Sequence, residues 1–242
     1  MKVGAYRLDD NIAIGDGLRR VTSFENAEGK AGYTIAHYEI EGTGIGHSFG
    51  LDWKFSGKLN FGFRYDMEVD IDVENSVRGD DNSGKAVDGD EYSEDLPAVC
   101  NAGTKYQLSD AITMVGVFNY YFQKGVDMMG GTAVTDKWED AYDIGIGLSY
   151  KLSDAFELIT GINYSDVGIP SDAYTLIHAL TTADNAQLGI GLEYSGFSKT
   201  KIFVGLGSCF YTDERTPSDP FGDHERTPDY TYALGFGIEY KL

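Results

Sequence analysis

Basic residues are scarce in this sequence: 19 Lys and Arg stand against 39 Asp and Glu, and the formal net charge is −20. Because a phosphate backbone is bound by cationic side chains, this balance argues against a nucleic-acid partner. No run of about 18 apolar residues occurs, so the sequence offers no candidate transmembrane helix. The two cysteines, Cys100 and Cys209, are isolated and lack CxxC spacing, so they say little about the redox compartment.

Proline is also rare, with 5 residues, whereas the chain contains 31 Gly, 17 Tyr and 13 Phe. This composition is typical of many strands joined by short turns. A length of 242 residues allows one large β domain or two small ones. The first stretch, "MKVGAYRLDDN", lacks the apolar core of a signal peptide, so we expect any export signal to lie outside this numbering.

Apolar residues alternate with small or polar ones along most of the chain, which is the period of a strand with two unlike faces. In "YALGFGIEYKL", Tyr, Leu, Phe and Ile alternate with Ala, Gly, Glu and Lys, and "IGIGLSY" and "LGIGLEY" repeat the pattern. The alternation predicts eleven strands. They lie near residues 1–8, 12–23, 44–56, 58–73, 98–108, 111–123, 138–152, 155–165, 185–195, 199–211 and 229–242.

An aromatic residue followed by a short polar turn recurs at intervals of 44 to 53 residues, as in "YQLSDAI" and "YKLSDAF". Each interval contains two long strands, so a β-propeller, whose blades have four short strands, is a poor fit. The opposite strand ends are joined by long polar loops, which together with the short turns predict an up-and-down meander. The predicted loops span residues 24–43, 74–97, 124–137, 166–184 and 212–228.

The two faces of these strands favour a membrane barrel. The face with Gly, Ser, Glu and Lys is too small and too polar to fill a core, whereas the other is aliphatic and ends in aromatic residues. In a transmembrane barrel such a face meets lipid, and aromatic girdles mark the two interfaces. A soluble barrel or sandwich with a glycine-rich surface is the alternative. The expected lipid-facing residues include Ile144, Ile146, Leu188, Ile190, Leu234 and Phe236.

One stretch fits this assignment poorly. In "NIAIGDGLRRV" the lipid-facing positions include Asp16 and Arg20 as well as Ile12, Ile14 and Leu18. A lipid-facing Arg costs about 2–4 kcal/mol at mid-bilayer and much less near an interface. A β-bulge or a covered face would remove the conflict, and the sequence leaves both open.

Several segments resemble the FadL family of outer-membrane transporters of long-chain fatty acids and other hydrophobic compounds. "YRLDDNIAIGDGLRRV" resembles one family hairpin, and "EGTGIGHSFGLDWKFSGKLNFGFRYDMEVDIDVEN" resembles the next. "LPAVCNAGTKYQLSDAITM" and "WEDAYDIGIGLSYKLSDAFELITGINYSDVGIPSD" are similar to the two that follow, in the same order. The last two hairpins are similar only in outline.

The resemblance implies a fourteen-stranded barrel with an N-terminal hatch and a gap at a kinked early strand, through which ligands leave sideways into the membrane. We therefore expect an all-β, transmembrane, antiparallel up-and-down β-barrel in the cell outer membrane. Residues 1–242 are expected to form a single domain with about 11 of the 14 strands, without the hatch. An antiparallel barrel closes with an even strand number, so we expect strands to be missing. The last strand has the complete, alternating and aromatic-containing form expected at the end of an outer-membrane protein, so we expect the missing strands at the N-terminal side.

Acidic motifs are the main other candidates for a site. The loop "VRGDDNSGKAVDGDEYSED" could bind a divalent cation, but it lacks the spacing of a calcium loop, so a solvated loop is favoured. Asp66, Glu68, Asp70 and Asp72 would form a carboxylate ladder on one strand, which suits cation selectivity in a pore. Because only about 10 residues of a strand cross the bilayer, the favoured interpretation is that the later acids stand above it in water. The stretch "SDAYTLIHALTTAD" is compatible with a short helix in a loop. No nucleophile motif or cofactor motif occurs, so we expect neither an enzyme nor a cofactor.

Lumen-facing positions on alternate strands carry apolar side chains, which favours a site for a hydrophobic ligand over an aqueous pore. Packing for stability explains such residues equally well. The partners expected are a long-chain fatty acid or other hydrophobic ligand, outer-membrane lipid, and the barrel-assembly machinery during biogenesis. The alternative function is a nonspecific pore, or a structural or adhesive barrel acting through its acidic loops. The expected ligand-binding residues are Val115, Val117, Tyr121, Ile159 and Phe203.

Overall fold

A computed structural model describes residues 2–31, 34–78, 89, 91–127, 137–169, 184–212 and 230–240, which form one antiparallel sheet. The strands are β1 (Lys2–Arg7), β2 (Ile12–Ala31), β3 (Thr34–Lys54), β4 (Leu59–Asp66), β5 (Asp72–Arg78), β6 (Glu91–Ser93), β7 (Ala98–Gln107), β8 (Ile112–Phe122), β9 (Ala141–Lys151), β10 (Phe156–Asp166), β11 (Asn185–Tyr194), β12 (Thr200–Tyr211) and β13 (Tyr230–Tyr240).

Consecutive long strands are hydrogen-bonded neighbours, in the order β1-β2-β3-β4-β7-β8-β9-β10-β11-β12-β13, and β5 and β6 lie off this path. The all-β, up-and-down antiparallel meander is therefore confirmed, and each of the eleven predicted strands has its counterpart. In the described part of the chain the sheet is open, with β1 and β13 at its two edges. The stretch with the predicted loop helix, residues 171–184, lies almost entirely outside the described residues.

The recurring polar turn is stabilised by its first polar side chain. Backbone N–H groups of Asn11 and Ile12 donate to Asp9 Oδ1 at 2.6 and 2.8 Å. Ser56, Ser109 and Ser153 accept the equivalent pair of N–H groups through Oγ at 3.1 to 3.3 Å. Short polar side chains favour turns by bonding the backbone in this way. The repeated motif is thus a repeated turn structure.

The predicted loop at residues 24–43 is wrong, because β2 and β3 continue through it in regular register as far as the pair Ala31 and Thr34. The two strands are 20 and 21 residues long, about twice the 9–11 residues that cross a bilayer. The prediction failed because it relied on apolar alternation. A strand that continues beyond the bilayer meets water on both faces and loses that alternation.

The predicted strand at residues 58–73 is also wrong, because it contains a break. β4 ends at Asp66, and Met67 N still donates to His47 O at 2.8 Å. The chain resumes pairing with β3 only at Asp72, opposite Thr43. Residues 67–71 therefore form an interruption in the wall between β4 and β5. The carboxylate ladder predicted on this strand does not exist as a ladder.

Cross-strand partners lie on the same face of an antiparallel sheet, so the registers define two faces. The aliphatic face carries Ile146, Ile162 and Leu188, which are successive partners from β9 to β11, and the glycine face carries Gly147, Gly161 and Gly189. The six residues expected to face lipid all lie on the aliphatic face. They are 48% to 75% exposed.

Asp16 and Arg20 also lie on the aliphatic face, opposite Phe49 and Ile45 of β3. The register of β2 against β3 is regular throughout, so a bulge does not remove this conflict. Both side chains are exposed. Counting from the turn at Asn11, Arg20 stands near the end of a bilayer-spanning length, where a lipid-facing charge costs only about 0–1 kcal/mol.

Candidate ligand site on the glycine face

The glycine face contains a trough of about 500 Å³ across β8 to β13. Its floor is a row of small residues that are successive cross-strand partners. Since they have little or no side chain, the row leaves an open channel between the taller rows on either side. The floor consists of Gly147, Gly161, Gly189, Gly207 and Ala233.

Val115 and Val117 of β8 line one end of the trough, and both are part of the predicted site. Val117 Cγ2 lies 3.1 Å from the point where a Cβ on Gly145 would stand, and Asn163 Oδ1 lies 2.8 Å from the same point. Gly145 is therefore covered from two sides. The row toward the long loops continues through Gln187, Cys209 and Thr231, and no charged side chain of the described chain lines the trough.

The other three predicted residues share the glycine face but do not line this trough. Phe203 lies over the backbone, with ring atoms 2.7 and 3.1 Å from the Cβ positions of Gly191 and Gly205. Ile159 is the register partner of Gly191, one row nearer the short turns. Tyr121 lies nearer the long loops and donates its hydroxyl to Asp143 Oδ2 at 2.8 Å.

Charged side chains occupy the glycine face at the short-turn end of β9 to β13. Lys201 Nζ donates to Glu193 Oε1 at 2.7 Å, and Ser149 Oγ donates to Glu157 Oε1. Glu239 is the register partner of Lys201. The uncharged trough is therefore bounded on this side by charged side chains of both signs, because Lys151 is the register partner of Glu157 as Lys201 is of Glu239.

The wall break at residues 67–71 lies against the glycine face of β3. Val69, Ile71 and Val73 are almost fully buried, at 0%, 2% and 1% exposure. They cover Gly42, Gly44 and Gly46; a Cβ on Gly44 would stand 2.5 Å from Val69 Cγ1 and 2.4 Å from the carbonyl oxygen of Asp70. A close backbone approach of this kind requires glycine.

Three carboxylates gather on the far side of this segment. One oxygen atom from each of Glu68, Asp70 and Asp95 lies within 4.8 Å of the others, and Asp95 also accepts the Ile71 N–H at 2.8 Å. Partial burial, followed by the charges of Asp70 and Asp95, raises the pKa of Glu68 above its ordinary 4.5. Like charges at this spacing disfavour the ionised form. Asp66 is separate, since it forms an ion pair with Arg64 at 2.8 Å.

A second groove, of about 850 Å³, lies mainly on the aliphatic face, and sequence reasoning did not identify it. Gly116 and Ala102 leave space between larger side chains such as Phe61, Phe118 and Ile146. The sequence contained one indication of this groove, because Gly116 is the single glycine on the aliphatic face of β8. On a lipid-facing surface such a groove is filled by acyl chains.

The family described as "Outer membrane protein transport protein (OMPP1/FadL/TodX)" matches residues 2–220. This range covers most of the 242 residues, and the chain belongs to that family. It is therefore an outer-membrane β-barrel of a family of outer-membrane transport proteins. No curated protein matches the chain. The described residues contain no helix long and apolar enough to cross a membrane.

Three solved structures resemble the chain. The CymD monoaromatic hydrocarbon channel is 10% identical, with a TM-score of 0.55, over 99% of this chain and 72% of that one. A Pseudomonas aeruginosa FadL homologue is 14% identical, with a TM-score of 0.61, over 97% and 63%. The Pseudomonas putida toluene transporter TodX is 14% identical, with a TM-score of 0.52, over 85% and 62%. The chain thus spans less than two thirds of the last two, and identities this low establish the fold alone.

Proposed function

We propose that this protein takes up hydrophobic small molecules across the outer membrane and holds them on the glycine floor beside Val115 and Val117. The observation that carries this proposal is the uncharged trough on the lumen face of a barrel wall. A site for an apolar ligand is typically concave and mostly apolar, with few polar groups. Each buried methylene of the ligand contributes about 0.8 kcal/mol, so no strong polar anchor is needed.

Uncharged compounds suit the site better than fatty-acid carboxylates do. Among the described residues no cation lines the trough, and Lys105, the register partner of Val115, lies beside it and not in its lining. Carboxylates also gather at the wall break, with Glu68 and Asp70. Like charges raise the free energy of a bound anion. Long-chain fatty acids remain the second candidate class of ligand. The absence of enzymatic activity stays a prediction, and so does the interaction with the barrel-assembly machinery.

The wall break supports an exit for the ligand directly into the membrane. Residues 44–47 of β3 have no register partners on β4 or β5, because the segment 67–71 lies on the lumen face. A ligand that displaces the packed segment 67–71 from this gap in the ladder would have a route to the aliphatic face. An apolar ligand gains no stability by continuing into water at the charged short-turn end.

Uptake of a labelled hydrophobic compound by cells that express the full-length protein tests this function. Val117→Lys places a charge at the end of the trough and is expected to lower uptake about tenfold or more. A tenfold decrease corresponds to a free-energy cost of about 1.4 kcal/mol, which is at the low end of the range for burying a polar group without all of its hydrogen bonds. The matched control is Gly62→Lys, also on the glycine face, where an added Cβ meets nothing within 4 Å.

Equal uptake in both variants and in cells without the protein would overturn the proposal. A parent protein that admits small sugars as readily as hydrophobic compounds would favour the nonspecific pore. Loss of surface adhesion with no change in uptake would favour the structural or adhesive barrel acting through its acidic loops.

A further inference from the structure

Two carboxamide side chains border the trough on the side of the long loops. Asn163 of β10 and Gln187 of β11 are register partners, and both line the trough. They are its only carboxamides among the described residues. A side-chain amide offers two N–H donors and one carbonyl acceptor, so its orientation decides what the ligand meets.

The amide nitrogen of each side chain donates a hydrogen bond away from the floor. Asn163 Nδ2 donates to Ser165 Oγ at 3.1 Å, and Gln187 Nε2 donates to Asn185 Oδ1 at 2.9 Å. Ser165 and Asn185 lie one row further toward the long loops and are themselves buried. Each amide is therefore held in place along its own strand through its donor end.

The carbonyl oxygen of Asn163 consequently lies inside the trough. Asn163 Oδ1 is 2.8 Å from the position of a Cβ on Gly145, a glycine that lines the trough next to Val117. No described side chain donates a hydrogen bond to this oxygen. The polar edge of the trough thus presents the Asn163 carbonyl oxygen as an acceptor, while one N–H of each amide is already bonded to the row beyond.

We propose that Asn163 and Gln187 select apolar ligands that carry an uncharged hydrogen-bond donor, such as a hydroxyl group on an aromatic ring. The proposal rests on the proposed function and adds a ligand class to it. A bare hydrocarbon would cover the amide oxygen without replacing its water, which is unfavourable. A carboxylate brings a further acceptor and a charge to a site that no described cation lines. A hydroxyl donates to Asn163 Oδ1 while the hydrocarbon body lies on the glycine floor.

Three probes with one skeleton test this preference: octylbenzene, 4-octylphenol and 4-octylbenzoate, each radiolabelled and supplied at neutral pH. Uptake by cells expressing the full-length protein is compared with uptake by cells carrying an empty vector. We expect the phenol to exceed the hydrocarbon by about fivefold, the value of one net hydrogen bond, and the benzoate to be the slowest.

Leu substitutions keep the side-chain size and remove the acceptor. Asn163→Leu and Gln187→Leu are expected to reduce the phenol-to-hydrocarbon ratio toward one, while uptake of octylbenzene holds or rises. Asn119→Leu is the matched control, because Asn119 lies on the same face but outside the trough, next to Asp143. A defect in folding lowers all three probes together, whereas lost selection changes their ratio.

Equal uptake of phenol and hydrocarbon by the parent, or a ratio that both variants leave unchanged, would overturn this inference and leave the proposed function standing. Fastest uptake of the benzoate would also overturn it and would favour the fatty-acid class. If none of the three probes enters faster than in the empty-vector cells, the proposed function fails as well.

Discussion

Glycines face the lumen in two regions of this wall, with opposite results. On β9 to β12 they form the open floor of the trough; a Cβ on Gly189 would meet only the Leu206 carbonyl oxygen, at 4.0 Å. On β3 they are covered, and a Cβ on Gly44 would overlap both Val69 and the backbone of Asp70.

A row of glycines on one face of a strand therefore does not by itself determine whether that face is an open ligand site or is covered by other residues. From β7 to β13 every strand pairs in regular register with its neighbours, and no described chain segment packs over the floor glycines Gly147, Gly161, Gly189 and Gly207. At β3 the neighbouring strand is interrupted, and the segment 67–71 fills the equivalent space. One arrangement makes a ligand site, and the other makes a packed gap in the wall.

Gly44→Val should have the largest effect on folding, because the new side chain occupies space held by Val69 and by the backbone of Asp70. Overpacking of this kind costs about 1–3 kcal/mol. Urea unfolding in lipid vesicles measures the change. Gly62→Val is the control, since its Cβ has open space. Equal stability of the two variants would show that the covered and open glycines do not differ.

Phe203→Ala should have the next largest effect. The Phe203 ring covers the backbone at Gly191 and Gly205. A fully buried Phe→Ala costs about 3–5 kcal/mol, and at 37% exposure we expect about 2 kcal/mol. The same unfolding assay measures it. Phe210→Ala, on the lipid side, should cost less, and the reverse order would contradict this packing role.

Glu68→Gln should have a smaller, pH-dependent effect at the wall break. Because burial and its acidic neighbours raise the pKa of Glu68, its contribution to stability is complete below pH 4.5 and is lost as the pH rises through the raised pKa. The variant should therefore strengthen the segment at neutral pH and make no difference below pH 4.5.

Hydrogen exchange of the paired Val69 and Leu96 amides, which bond each other's carbonyls at 3.0 and 2.9 Å, measures the effect of Glu68→Gln. Asp154→Asn, in an exposed turn, is the control for general charge. Slower exchange in Glu68→Gln at all pH values would show that ionisation is not the cause.

Gly189→Val should have the smallest effect on stability, near zero, because its Cβ has room and a β-branched residue suits a strand. It should nevertheless lower ligand uptake, since the side chain stands on the trough floor. Unfolding and uptake measured on one preparation separate the two effects. Normal uptake would place the ligand elsewhere on the glycine face.

Local sequence alone determined the strands, their faces and the short turns. The two-residue period needs only neighbouring residues, so the six lipid-facing positions from Ile144 to Phe236 were correct. The turn at Asp9 depends on bonds to residues two and three positions away, and such short-range signals are visible in sequence. The alternation of side chains along each strand also placed all five candidate site residues on the glycine face.

Tertiary structure decided which of those residues meet. The register between strands depends on contacts between residues that are distant in sequence. It places Val115 and Val117 at the trough, whereas Tyr121 lies outside it and bonds to Asp143. The break after Asp66 and the extension of β2 and β3 likewise depend on cross-strand partners. Whether a glycine is open or covered is a property of the chain that packs over it, and no local pattern contains that information.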